Sequence, residues 1–381
     1  VRRLLMRRSP SVAAGLLLCV SCSTESGGSA RRSATGPGLL PTDSVLLDET
    51  DRFYIGNPFS LVPDTTDGSF LISDFFEDRI LRYDRDGRLL QTYGRPGPGP
   101  GEFLDLGAAF TLNDTIVVGS DDERKLLQLF SRTDGTYLHA LRYQGRLGVD
   151  TYTVVDGAVV FPSREIAGLT SVAIWRYPHD HIDYVVPLPD EYVRSAIRPD
   201  GYVGRFAAFR ARGSVVAWPD TIMSAMGGLN EIFLSTWDGQ VVDTVDPPAV
   251  RRRGVPDDIQ QRLDSYEFRG NAHEISSGLE GLYRLSDGAT VVFHHDATLK
   301  GEPPHGIITA DIYLTVIAPD RKSACVDSLV PHFKALRPIH TVVRDTIFLL
   351  DRRLNEREDG LESWVRMYRI DTSGCTWLEM G

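Results

Sequence analysis

One phrase recurs along this chain. A turn opens a short run of β-branched and apolar residues. A charged loop follows, then a second apolar run, a turn and a short third run. It is plainest at Gly68-Ser69-Phe70-Leu71-Ile72-Ser73-Asp74, then Arg79-Ile80-Leu81-Arg82-Tyr83-Asp84, then Asp86-Gly87-Arg88-Leu89-Leu90. It returns at Asp114-Thr115-Ile116-Val117-Val118-Gly119, with Leu127-Gln128-Leu129-Phe130 and Asp134-Gly135. Looser copies open at Gly157, Gly213, Gly288 and Asp345, which brings the number to six. Asp-Gly between two apolar runs is a strong hairpin signal, because glycine takes the positive φ that tight hairpins require. A sheet of three or four such strands cannot bury both faces alone, so the copies must pack on one another. Six of them predict an all-β chain folded as a six-bladed β-propeller with short helical or irregular insertions.

The copies fall at about 59–94, 105–143, 150–188, 205–246, 277–330 and 336–379. Two insertions stretch the period. Residues 189–204 are polar and irregular, and Pro256-Asp257-Asp258-Ile259-Gln260-Gln261-Arg262-Leu263 has the pattern of a short amphipathic helix with proline near its start. A ring of sheets must close on itself to remove its free edges. The run Ser44-Val45-Leu46-Leu47 is expected to dock beside the last blade, whose outer strand is read as Thr376-Trp377-Leu378-Glu379-Met380.

The N-terminus reads as an address. Arg2, Arg3, Arg7 and Arg8 precede the apolar run Val12-Ala13-Ala14-Gly15-Leu16-Leu17-Leu18-Cys19-Val20, which is far shorter than a membrane-spanning helix. Cys19-Val20-Ser21-Cys22-Ser23 resembles a bacterial lipobox, with Cys19 standing where leucine is usual. The resemblance implies lipidation at Cys22, and Ser23 in place of aspartate implies sorting to the outer membrane. A plain secretory signal is the alternative. Residues 23–40 are rich in serine and glycine without apolar periodicity, as in a flexible tether. The expected organisation is a signal over 1–21, a tether over 22–42 and the propeller over 43–381. The chain would be exported and would meet the membrane through its lipid anchor only.

The formal charge is −11, and it becomes −15 once the first 21 residues are set aside. So acidic a body is a poor binder of nucleic acid or of anionic lipid. Of the four cysteines, Cys325 and Cys375 remain after the lipobox region. Each follows a turn and opens the outer strand of its own copy. On neighbouring blades those positions lie beyond the roughly 7 Å Cα reach of a disulfide, so two separate thiols are expected.

Blade one carries a family resemblance. Asp78-Arg79-Ile80-Leu81-Arg82-Tyr83-Asp84-Arg85-Asp86-Gly87-Arg88-Leu89-Leu90, followed by Gly94-Arg95-Pro96-Gly97-Pro98-Gly99-Pro100-Gly101-Glu102-Phe103, resembles an NHL repeat with its Gly-Pro-Gly connection. The other copies keep the strand rhythm without that signature. Together with the lipobox, the chain is similar to bacterial six-bladed propeller lipoproteins related to NHL proteins. Some six-bladed relatives are hydrolases or lyases with a divalent ion in the central channel.

The loops after the first clear apolar run of each copy are expected to share one face. They offer Asp74, Asp121, Arg164, Asp220, His295 with Asp296, and Asp351 with Arg352 as candidate ligand-binding residues. Carboxylates and guanidinium groups there would make a polar, concave mouth. Aspartate at a strand end is also a common turn former. His294 and His295 point to opposite sides of a strand, so only one can face a mouth. No G-x-S-x-G or H-E-x-x-H occurs, and no metal ligands are assigned. The sequence therefore favours a monomeric recognition scaffold for a peptide, glycan or protein, without a cofactor. A metal-dependent lactonase-like hydrolase or lyase, with a divalent cation in the channel, is the alternative.

Overall fold

The computed structural model describes residues 35–50, 53–145, 147–148, 151–165, 170–188, 213–226, 231–252, 277–300, 307–330, 339–354 and 360–380. They form six antiparallel sheets and no helix. The expected helix at 256–263 and the insertion at 189–204 lie outside these residues.

Blade one comprises β2 (Pro58–Pro63), β3 (Phe70–Asp74), β4 (Arg79–Tyr83) and β5 (Leu89–Tyr93). Blade two comprises β6 (Leu106–Asn113), β7 (Ile116–Asp121), β8 (Leu126–Ser131) and β9 (Tyr137–Arg142). Blade three has β10 (Thr153–Val155), β11 (Ala158–Glu165), β12 (Thr170–Arg176) and β13 (Ile182–Pro187). Blade four has β14 (Gly213–Ala217), β15 (Ile222–Met226), β16 (Ile232–Ser235) and β17 (Val241–Val245). Blade five has β18 (Ser277–Arg284), β19 (Thr290–Lys300), β20 (Ile307–Ile317) and β21 (Ser323–Leu329). Blade six has β22 (His340–Val343), β23 (Thr346–Leu354) and β24 (Leu361–Asp371), and its fourth strand is β1 (Gly38–Leu46).

Turn chemistry sets the registers. Asp156 and Gly157 both have positive φ, and Val155 pairs directly with Ala158 across them, so β10 and β11 meet through a two-residue turn. Side chains then alternate between the two faces of each sheet. On β3, Leu71 packs toward blade two while Phe70 and Ile72 pack toward blade six. The six main apolar clusters each straddle one pair of successive blades, blade six with blade one included. First strands also adjoin, with β14 beside β18, β18 beside β22, and β22 beside β2. The ring is closed.

Two expectations about the seam need correction. β1 does dock on the last blade, with Gly38 opposite Asp371 and Leu46 opposite Trp364. It begins at Gly38, inside the stretch read as tether, and it is itself the outer strand of blade six. The edge of β24 is thereby occupied, so the C-terminal segment cannot use it. Trp377–Glu379 instead forms β25, a fifth strand on β21 of blade five, with Trp377 opposite Cys325. That crossing overturns the expectation of two separate thiols. Cys375 stands just before β25, its Cα is 5.6 Å from that of Cys325, and the two are disulfide-bonded. Thr35 joins the same seam, accepting the Thr376 amide at 2.9 Å.

Strands alternate in direction. The end of each second strand, the start of each third and the strand ends that lead from one blade to the next therefore lie at one end of the ring, the upper rim. The hairpins from first to second and from third to fourth strands form the lower rim.

Candidate functional site

The upper rim of blades one and two is organised by two aspartates. Asp74, at the end of β3, is fully buried and accepts the amides of Gly56 and Asn57 at 2.9 and 2.8 Å. Asp121 ends β7 in the same way, accepting the Leu104 amide at 3.0 Å and the Arg124 amide and Nε at 2.9 and 2.8 Å. Arg79 stands 3.7 Å from Asp74. Both carboxylates hold the segments that feed their own blades, and their oxygens face protein donors.

The other sequence candidates scatter. Asp351 pairs with Arg366 at 2.6 Å. Arg352 donates to the carbonyls of Ile55 and Gly56 and to the Ser363 hydroxyl. His295 lies 2.7 Å from Glu280, over Gly278, where any Cβ would collide with its ring. Asp296 is buried on the opposite side of β19 together with His294. Arg164 lies in β11. Asp220 is exposed on the lower rim, away from the rest. That placement corrects the expectation of a shared face. In blade four the first apolar run is the first strand, β14, whereas in the other five blades it is the second. Its loop consequently falls at the opposite end. Among the described residues, no three His, Cys, Asp or Glu side chains converge to hold a metal ion.

What the upper rim does present is apolar. Tyr54, Phe75, Phe76, Leu104, Leu354 and Leu361 are all exposed there, Phe76 by 71%. They form a band across blades six, one and two. A cleft of about 470 Å³ lies between blades six and one, lined by Glu49, Thr50, Tyr54, Ile55, Arg352 and Leu361. Phe76 packs beside Gly56, whose missing side chain leaves room for it, and Phe75 stacks on Phe59 at 6.4 Å. Asp78 accepts the Leu106 amide at 2.9 Å and so brings the Phe75–Phe76 loop against Leu104 and Asp105. The signal for this band was present in the sequence. Two adjacent phenylalanines sit in a turn between strands, where a side chain has no sheet to pack under.

No protein-family model and no curated protein matches the chain. Solved structures do. A member of the DUF4221 family from Bacteroides vulgatus is 8% identical with a TM-score of 0.58, over 89% of this chain and 99% of that one. A protein of Bacteroides fragilis, inferred to be exported, is 13% identical with a TM-score of 0.56, over 90% and 96%. Virginiamycin B lyase from Staphylococcus aureus is 12% identical with a TM-score of 0.45, over 85% and 99%, too loose to carry an argument. At such identities the first two show the propeller fold alone.

Proposed function

We propose that this chain is an exported recognition module whose propeller holds a polypeptide partner on the upper rim of blades six, one and two. The observation that carries this reading is the band Tyr54, Phe75, Phe76, Leu104 and Leu361, exposed together beside a cleft. Large apolar side chains grouped on a rigid surface are characteristic of interaction sites. Phe75, Phe76 and Leu104 stand on loops fixed by buried Asp74 and Asp121, so little order is lost on binding. The disulfide agrees with an oxidising compartment. Lipidation at Cys22 completes the proposal, and mass spectrometry of the wild-type and Cys22→Ala proteins from membranes tests it.

Selection of a random peptide library on the purified chain tests the binding face. Peptides are expected to enrich on the wild type and to be lost on a Phe76→Ser, Leu361→Ser variant of unchanged melting temperature. Enrichment indifferent to both substitutions, or turnover of esters or lactones by the purified chain, would overturn the reading.

A further inference from the structure

Charges along the upper-rim band do not balance. Four of its cations are committed to the protein's own backbone and to the two buried aspartates, while Arg95 pairs with Glu102, Arg353 lies over the Trp364 ring and Arg142 is exposed at the end of β9. Arg79 donates to the Tyr54 carbonyl at 2.7 Å and lies over the rings of Phe53 and Tyr54. Arg124 pairs with Asp121 and donates to the carbonyls of Pro98 and Glu102. Lys125 donates to the Asp122 carbonyl, and Arg352 to those of Ile55 and Gly56.

The carboxylates beside the exposed phenylalanines are Glu77, Asp78, Asp105, Asp122 and Glu123. Three of them accept from neutral donors: Glu77 from the Tyr54 hydroxyl, Asp78 from the Leu106 amide and Asp122 from the Tyr143 hydroxyl. Among the described residues none of the five is in an ion pair. The pairs on this stretch go to Asp74, Asp121 and Glu102 instead. Crowding shows at Asp105, whose carboxyl is raised by burial first and then by Asp122, Asp121, Asp78 and Glu123.

Apolar anchors and uncompensated carboxylates therefore share one rim. Desolvating Phe75, Phe76 and Leu104 with a neutral or anionic partner would leave that negative field unanswered. Resting on the binding-face reading above, we infer that the partner is a cationic, extended polypeptide segment. Its apolar side chains would cover Phe75, Phe76 and Leu104, and its lysines or arginines would face Asp105, Asp122 and Glu123. The acids do not suit a metal ion, since they are spread over three segments and, among the described residues, no three converge to hold one.

Three labelled peptides of equal length test this by anisotropy against the full chain: alternating Lys and Phe, the same with Glu for Lys, and the same with Ser for Phe. The Lys–Phe peptide is expected to bind at least about tenfold more tightly than the Glu form, with the margin shrinking as salt is raised. A folded Asp105→Asn, Glu123→Gln variant should lose about three- to tenfold affinity and part of the salt dependence. Asp86→Asn, on the lower rim, should change nothing. Equal binding of the Lys and Glu peptides would overturn the cationic inference, and so would an Asp86→Asn loss as large as that of the upper-rim variant. In both cases the binding face would stand. If Phe76→Ser leaves every peptide's affinity unchanged, or none binds, the face itself falls.

Discussion

Blades one and two fasten the incoming chain in one way, and blade five in another. In the first two, a buried aspartate at the end of the second strand takes amides from the segment feeding its own blade, and a nearby arginine backs it. At the corresponding stretch of β19, blade five carries His294, His295 and Asp296. Its fastener is Asp327 on the outer strand, which accepts the amides of Val250, Arg251 and Arg252 and pairs with the Arg252 guanidinium at 3.1 Å. Asp121 and Arg124 are three residues apart, while Arg252 and Asp327 are 75 apart. The same sheet can thus be held by a local clasp that recurs as a motif or by a long-range pair that leaves none.

Breaking the long-range pair should cost most. Both side chains are almost fully buried. Asp327→Ala strands Arg252 and three amides, and a loss of about 3–5 kcal/mol is expected in urea unfolding. An Asp327→Ala protein within about 1 kcal/mol of wild type would show that blade five is held elsewhere. Next comes the disulfide beside it. It closes a span of 50 residues, and chain entropy puts its removal in Cys325→Ser at about 4 kcal/mol. The clasps of blades one and two rank third. Asp121→Asn keeps the shape but turns an amide toward donors, for about 1–3 kcal/mol. Asp74→Asn should match it, and a clear difference between the two would deny their equivalence.

Acid should separate the two regions as well. Burial first, then Arg252 and His295, hold the His294 imidazole well below its usual value. The unfolded chain takes up that proton first, so stability falls as pH drops below about 6.5. At the lower rim of blades one and two, burial tends to raise Asp67. Hydrogen bonds from Ser69 and the charges of Arg132 and Arg82 outweigh it, leaving the carboxyl at about 2. Its contribution is present above about pH 4 and is lost as pH falls from there through about 2. Asp67 is more than one third exposed, so solvent screening holds the effect below about 1 kcal/mol. Urea midpoints measured against pH should show a decline below about pH 6.5 that His294→Phe removes, and a smaller one below about pH 4 that Asp67→Asn removes. A flat profile between about pH 6.5 and pH 5 would place no buried neutral histidine in blade five.

Local signals made the fold legible. Asp-Gly turns, strand-length apolar runs and the Gly-Pro connection act within a few residues, and the turns at Asp67-Gly68, Asp86-Gly87, Asp134-Gly135 and Asp238-Gly239 lie between strands as the sequence placed them. Glycines in that connection leave room for Phe103, whose ring fills the space where Gly94 would carry a side chain. Legibility failed wherever an outcome depended on which edge was free. Nothing in Thr376-Trp377-Leu378 says that β1 already covers β24, so neither the crossing of β25 nor the Cys325–Cys375 bridge could be foreseen. The candidate residues show a related limit. Charge at a strand end marks a position on the rim, but only the fold shows whether the group faces a ligand, as Phe76 could, or the protein's own amides, as Asp74 does.

The strand that closes the ring also settles how the molecule would respond to tension. The chain enters β1 at Gly38, the end remote from the exposed phenylalanines, and runs toward them beside β24. Hydrogen bonds of an antiparallel pair lie across the strands. Were the chain tugged from its N-terminal side while a partner gripped the far rim, the force would run along β1. All the bonds to β24 would then be strained in shear together, instead of being peeled open one after another.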